Sequence, residues 1–182
     1  MKQQILPALR LTLVLMILCA GVYTLLLSGF AGLTPEKGKG EKIADRNGKS
    51  YYANIGQRFD SVIYFNSRPS AVAYNAAGSG GSNKGPNNPG YLKEVQQRVE
   101  AFRQNNPGAV IPADIVTASG SGLDPDISVA AANAQVARIA TARKLSQQAV
   151  QELVNQHTNR PLLGPQKINV LKLNIDLDKL NH

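Results

Sequence analysis

From Leu11 to Leu33 the chain reads LTLVLMILCAGVYTLLLSGFAGL, with no charged residue. As a helix rising ~1.5 Å per residue, this run reaches roughly 34 Å, more than the ~30 Å hydrocarbon core of a bilayer. Only a helix satisfies its own backbone hydrogen bonds in lipid, so 11–33 is predicted to be a transmembrane helix behind a short tail, 1–10. One span cannot line a pore or build an active site by itself. The function therefore lies in the rest of the chain, or in whatever the helix packs against. Ala20, Gly21, Ser28, Gly29 and Gly32 supply the small residues that close packing between membrane helices needs.

Lys2 and Arg10 precede the run, and Gly29-Phe30-Ala31 would tolerate signal cleavage. A signal core, however, is only about 7–15 residues long, which favours a retained anchor. The single cysteine, Cys19, lies inside the run, so no intrachain disulfide can form. Lipid attachment there would want a small preceding residue, and Leu18 is large. Orientation stays open on charge. Lys37, Lys39, Lys42, Arg46 and Lys49 follow the span and by the positive-inside rule would hold the large domain in the cytoplasm. A short basic tail before an apolar run, in contrast, resembles an uncleaved signal, which sends the domain outside.

The net charge of +8 arises from 20 Lys and Arg against 12 Asp and Glu. The basic cluster after the span reads as a juxtamembrane linker, 34–50, facing lipid headgroups. Nucleic-acid binding wants a basic face with stacking aromatics, and this chain has 5% aromatics and no Trp. Residues 51–182 are enough for one domain that buries a core without disulfides.

Within that domain, Ser61 to Phe65 is predicted to be a short strand. Residues 76–90, AAGSGGSNKGPNNPG, have no apolar periodicity and read as a long loop. Leu92, Val95, Val99 and Phe102 form one stripe of a helix over 91–104, ended by Asn105-Asn106-Pro107-Gly108. A second helix is expected from an N-cap at Ser128, burying Val129, Ala132, Val136, Ile139 and Ala140, with Arg138, Arg143 and Lys144 towards its C-terminal end. A third runs from Ser146 to about His157. Leu171, Leu173, Ile175 and Leu177 alternate with polar residues, which predicts a C-terminal strand. A small sheet with one dry face against about three helices is an α+β fold.

Chemistry is sparse. His157 and His182 stand apart from any cysteine or histidine at metal-ligand spacing. Asp124 and Asp126 read as acids of an Asp-Pro turn before a helix, where the dipole favours them. Ser79-Gly80-Gly81-Ser82 and Ser119-Gly120-Ser121-Gly122 lack the P-loop pattern and are weak nucleotide candidates. No nucleophile, base and acid fall into a catalytic order. The residues alone describe a single-span protein with a non-catalytic domain.

Four blocks in order carry a resemblance. They are Tyr64-Phe-Asn-Ser67-Arg68-Pro69-Ser70-Ala71, then Ser79-Gly80-Gly81-Ser82-Asn83, then Val116-Thr-Ala-Ser119-Gly120-Ser121-Gly122-Leu123-Asp124-Pro125, then Asn169-Val170 through Asp178. Behind one N-terminal span, they resemble the C subunit of the bacterial Kdp potassium-transporting P-type ATPase. The family usually has His where Asp126 stands, Pro at Val129 and Trp at Asn66. The resemblance implies an accessory subunit of an ATP-driven K⁺ uptake complex in the bacterial inner membrane. Its implied partners are a channel-like K⁺-binding subunit, a P-type ATPase subunit and a very small membrane subunit. It implies a cytoplasmic N-terminus, an extracytoplasmic domain and a chaperone that raises ATP affinity, with Ser79-Gly80-Gly81 as the signature-like stretch. An outside domain cannot touch cytoplasmic ATP, so ATP and K⁺ are expected to act through the complex, without a directly bound cofactor.

Overall fold

The computed structural model describes residues 4–180; Lys2 and His182 lie outside them. The chain divides into two compact units, with the boundary between Glu41 and Lys42.

The first unit is one helix, α1 (Ile5–Gly32), with a mean hydropathy of 2.3 and enough length to cross a membrane. Its backbone widens to π-helical spacing over Ile17–Val22. At that point Thr24 donates its hydroxyl back to the carbonyls of Ala20 (2.5 Å) and Gly21 (2.9 Å), the kind of insertion that loosens a helical ladder. Past Gly32 the Thr34 hydroxyl accepts from the Gly38 N–H at 3.0 Å, and Pro35 prevents the helix from continuing.

The second unit is a mixed α+β fold. It opens with an antiparallel hairpin of β1 (Lys42–Ala44) and β2 (Ser50–Tyr52). The Asp45 carboxylate accepts the N–H groups of Asn47 and Lys49, both at 2.9 Å, which closes the hairpin turn. Residues 42–44 and 50, inside the stretch read as a linker, are therefore sheet. No regular element follows until α2 (Pro89–Asn105), so the loop read over 76–90 ends two residues early, at Asn88. Asn88 caps α2 by accepting from the Tyr91 N–H, and Pro89 occupies the first turn, where its missing donor costs nothing. Phe102 is buried on the expected stripe, while Leu92 at its outer end is exposed.

Next come β3 (Asp126–Ser128), α3 (Val129–Asn133), α4 (Val136–Arg143), α5 (Gln147–Gln156), β4 (Thr158–Asn159), β5 (Lys167–Asn169) and α6 (Val170–Lys179). The strands form an antiparallel sheet ordered β3-β5-β4, with Ile127 opposite Ile168. Ser128, Ser146 and Asn169 each cap the helix that follows them. The expected second helix starts at Ser128 as predicted but breaks at Ala134-Gln135. There the fully buried Gln135 side chain turns inward to hydrogen-bond the 64–66 region.

Two expectations fail. The C-terminal strand is the helix α6. Its buried set is Val170, Leu171, Leu173, Asn174 and Leu177, a spacing of one, three, four and seven that only a helix brings onto one face. Alternation registered the leucines but missed Asn174, a polar residue inside the core. The strand expected at Ser61–Phe65 is instead a turn, in which the Tyr64 N–H donates to the Ser61 carbonyl at 3.1 Å, and at Phe65 a side chain takes the place of a neighbouring strand. Asn174 accepts from the Phe65 N–H and donates to the Phe65 carbonyl, both at 2.9 Å, reproducing the two bonds of an antiparallel pair.

Phe65, Ile127, Ile139, Val150, Val154, Ile168, Leu173 and Leu177 form the centre of the core, with Phe65 inserted from the unpaired segment. Burying each side chain of this size contributes about 1.5–3 kcal/mol. Replacing Asn174 by Ala removes both bonds and leaves two buried backbone groups unpaired. We expect a loss of about 2–4 kcal/mol, read as a lowered urea midpoint with the helical signal retained before the transition.

Candidate functional site

The motif residues converge on one loop cluster. Arg68 pairs with Asp124 at 3.0 Å. The Ser70 hydroxyl donates to the Gly122 carbonyl at 2.6 Å and accepts from the Tyr74 N–H at 2.9 Å. The Ser119 N–H donates to the Pro69 carbonyl at 3.1 Å. From the glycine loop, the Gly80 N–H (2.8 Å) and the Ser79 hydroxyl (3.0 Å) both donate to the Ser121 carbonyl. Two neighbouring segments, 67–74 and 79–82, thus interlock with the distant 119–125.

Local geometry explains the residue types. The Ser119 hydroxyl accepts from the Gly122 N–H and the Ser121 hydroxyl accepts from the Leu123 N–H, closing successive turns. Gly122 sits at φ +68, and a Cβ there would lie 2.6 Å from the Val72 side chain and 2.7 Å from the Gly80 carbonyl. Gly56 lets another backbone close in, since its Cβ would meet the Asp124 carbonyl at 2.6 Å. The Pro125 carbonyl accepts from the Val170 N–H at 2.9 Å, which joins the cluster to the start of α6. Ser119, Gly122 and Leu123 are buried; Gly120 and Ser121 are exposed; Ser82 is half-buried.

Asp124 and Asp126 do not act on a helix dipole. α3 has no acid in its first turn, because the strand β3 intervenes. Asp124 instead braces Arg68 and accepts from the Asp126 N–H at 3.0 Å. Asp126 pairs with Lys167 across β3 and β5 at 2.6 Å. His157 is the C-cap of α5 and meets Asp176 at 2.9 Å. Among the described residues no group of three or more His, Cys, Asp or Glu could hold a metal ion.

The residue that motif reading missed is Arg138. It sits inside α4 and fans out to five oxygens: Asn106 Oδ1 (3.0 Å), Asn66 Oδ1 (3.0 Å), Gln135 Oε1 (2.8 Å), the Tyr64 carbonyl (3.1 Å) and the Val62 carbonyl. Burial pulls its pKa down to about 10. Asn66 belongs to this network and donates to the Phe59 carbonyl at 2.7 Å. One turn further, Arg143 bonds the Ile63 carbonyl (2.7 Å) and Asp178 (2.7 Å) and lies over the Tyr64 ring. The polar Asn66 and Gln135 among apolar neighbours were the available signal.

Two expected outcomes follow from this geometry. Gly122→Ala should destabilise the second unit by about 2–3 kcal/mol, through strain at positive φ and collision with Val72. It should also speed amide exchange at Gly80, whose acceptor lies in the displaced turn. Tyr74 donates its hydroxyl to the Arg68 carbonyl, and burial pushes its phenol pKa from 10.0 up to about 12. A raised acid pKa favours the neutral, folded form. This stability is complete below pH 10 and disappears as pH rises towards 12. Urea midpoints across that window should fall, and Tyr74→Phe should flatten the fall by about 1–2 kcal/mol.

A family model described as the K⁺-transporting ATPase c chain, KdpC, matches residues 5–179. The chain is similar to the potassium-transporting ATPase KdpC subunit of Flavobacterium psychrophilum, at 50% identity over 98% of this chain and 99% of the relative. It is 46% identical to the KdpC subunit of Geobacter sulfurreducens, over 96% of each chain. It is also 46% identical to that of Bacteroides thetaiotaomicron, over 94% of this chain and 96% of the relative. From the span through the interlocked loops to α6, the chain belongs to the KdpC family of K⁺-transporting ATPase subunits.

Proposed function

We propose that the chain is a non-catalytic accessory subunit that assembles and stabilises a high-affinity, ATP-driven K⁺ uptake complex. The family match over residues 5–179 carries this reading, since it takes in both the span and the folded unit. The partners are a channel-like K⁺-binding subunit, a P-type ATPase subunit and a very small membrane subunit. α1 packs into the membrane part of the complex through Ala20, Gly21, Ser28, Gly29 and Gly32. The tail 1–10 lies in the cytoplasm, and the folded unit, which takes in the hairpin from Lys42 on, lies outside. The cluster of 67–70 and 119–125 presents the partner-facing residues.

The subunit raises the ATPase subunit's ATP affinity indirectly, by shifting its conformational populations. Coupling of this kind is typically ~1–3 kcal/mol. The glycine stretch supports an indirect route: a phosphate cradle needs free donors, and both the Gly80 N–H and the Ser79 hydroxyl are committed to Ser121. The competing reading is a nucleotide module at Ser79–Ser82 acting in a ternary complex with the ATPase subunit.

Copurification with and without this chain tests assembly. Removing the chain should abolish an intact complex and its K⁺-stimulated ATPase activity; an assembled, active pump without it refutes the proposal. For topology, Asn87→Cys in a Cys19→Ser background should react with an impermeant thiol reagent in intact cells. Protection until lysis would place the domain inside and favour the nucleotide module.

A further inference from the structure

A cleft of about 470 Å³ opens between the 58–74 segment and α2. Its volume falls in the ~300–1,000 Å³ range of small-molecule sites. Four arginines from three separate parts of the chain line it: Arg58, Arg68, Arg98 and Arg138. Three have carboxylate partners. Arg58 meets Asp60 at 2.5 Å, Arg68 meets Asp124 at 3.0 Å, and Arg98 meets Glu94 at 3.5 Å. Glu94 is shared with Lys84, so that acid neutralises only part of each cation.

Arg138 is different. All five of its oxygen partners are neutral, and burial alone accounts for its lowered pKa. A guanidinium without a counter-charge therefore forms part of the cleft wall, in a setting that screens charge less than water does. Elsewhere in the cleft lining, the Nε atom of Arg68 is buried and has no hydrogen-bond partner. A buried donor left unpaired costs about 1–3 kcal/mol. A planar fork of N–H groups with one buried arm free is the geometry that carboxylates and phosphates accept from.

We infer that this cleft is a binding site for a small oxyanion, a carboxylate or phosphate group, held by Arg68 and Arg58 within the field of Arg138. Nε is covered in this structure, so Arg68 would tilt its guanidinium to bring Nε to the ligand while Nη1 keeps its bond to Asp124. Arg58, whose side chain is largely exposed, would close over it from the rim. The site stands apart from the pump assignment and holds or fails without it.

The test is calorimetric titration of the full chain in detergent micelles with inorganic phosphate and, separately, with succinate, at constant ionic strength. Saturable one-site binding of either anion is expected. Arg68→Lys keeps the charge but removes Nε, and should weaken binding about tenfold, the loss of one charge-assisted bond. Arg58→Gln, at a rim position that leaves the core untouched, should weaken it similarly. Lys93→Gln, on α2 outside the cleft, should leave it unchanged. The tighter of the two anions identifies the headgroup. No saturable binding of either, equal weakening in Lys93→Gln, or unchanged affinity in Arg58→Gln with its thermal midpoint preserved would overturn the inference.

Discussion

A turn-containing segment with no neighbouring strand is held by side chains from α4, from α6 and from the break before α4, and the second unit is organised around it. Between Phe59 and Asn66 the chain needs partners for its backbone groups, because buried N–H and C=O groups are rarely left unpaired. Asn174 from α6 pairs both groups of Phe65, while Arg138 and Arg143 from α4 take the carbonyls of Val62, Ile63 and Tyr64. Gln135, where the helix breaks, accepts from the Asn66 N–H at 2.7 Å. Phe65 can then stand fully buried at the centre of the core. Immediately after it come Ser67, Arg68, Pro69 and Ser70, so the anchoring of Phe65 also sets where the motif cluster lies.

This arrangement separates what sequence patterns report from what they hide. The cap at Ser128, the helix start at Ser146, the stop at Asn106-Pro107-Gly108 and the irregular stretch up to Asn88 were legible because each is a local matter of backbone donors and turn geometry. The C-terminal element was not. Leu171, Leu173, Ile175 and Leu177 satisfy a period of two, but the helix also buries Val170 and Asn174, and polar residues do not count in an apolar pattern. The same omission concealed Gln135 and Arg138. Ser61–Phe65 has strand-like composition, yet residues 61–64 close a turn and the remaining backbone groups are taken by side chains, which no rule of composition reveals.

The candidate cluster was legible as a set of blocks but not as a place. Ser67–Ser70, Ser79–Ser82 and Ser119–Pro125 stood out individually, and only the fold joins them. Their serines and glycines serve the joining: hydroxyls close turns at Ser119 and Ser121, and the bare Cα of Gly122 permits backbone contact with Gly80. A glycine-rich stretch has the same composition whether it cradles a phosphate or packs against another loop. Which one it does depends on where the N–H groups point, and that of Gly80 points at a protein carbonyl.

Arg138 joins the two halves of this picture. A carboxylate could have neutralised it, but a buried pair gives little net stability over an apolar substitute and adds one more ion to desolvate. Neutral acceptors do a different job. Each of the five oxygens comes from a fixed position in the 62–66 segment, at the end of α2 or within the α3–α4 break, so one guanidinium ties three segments at defined distances. A lysine could not repeat this, since a compact ammonium lacks the planar fork. The consequence is electrostatic as well as structural. The charge that fastens the 62–66 segment has only neutral partners, and it shares the wall of one cleft with Arg68.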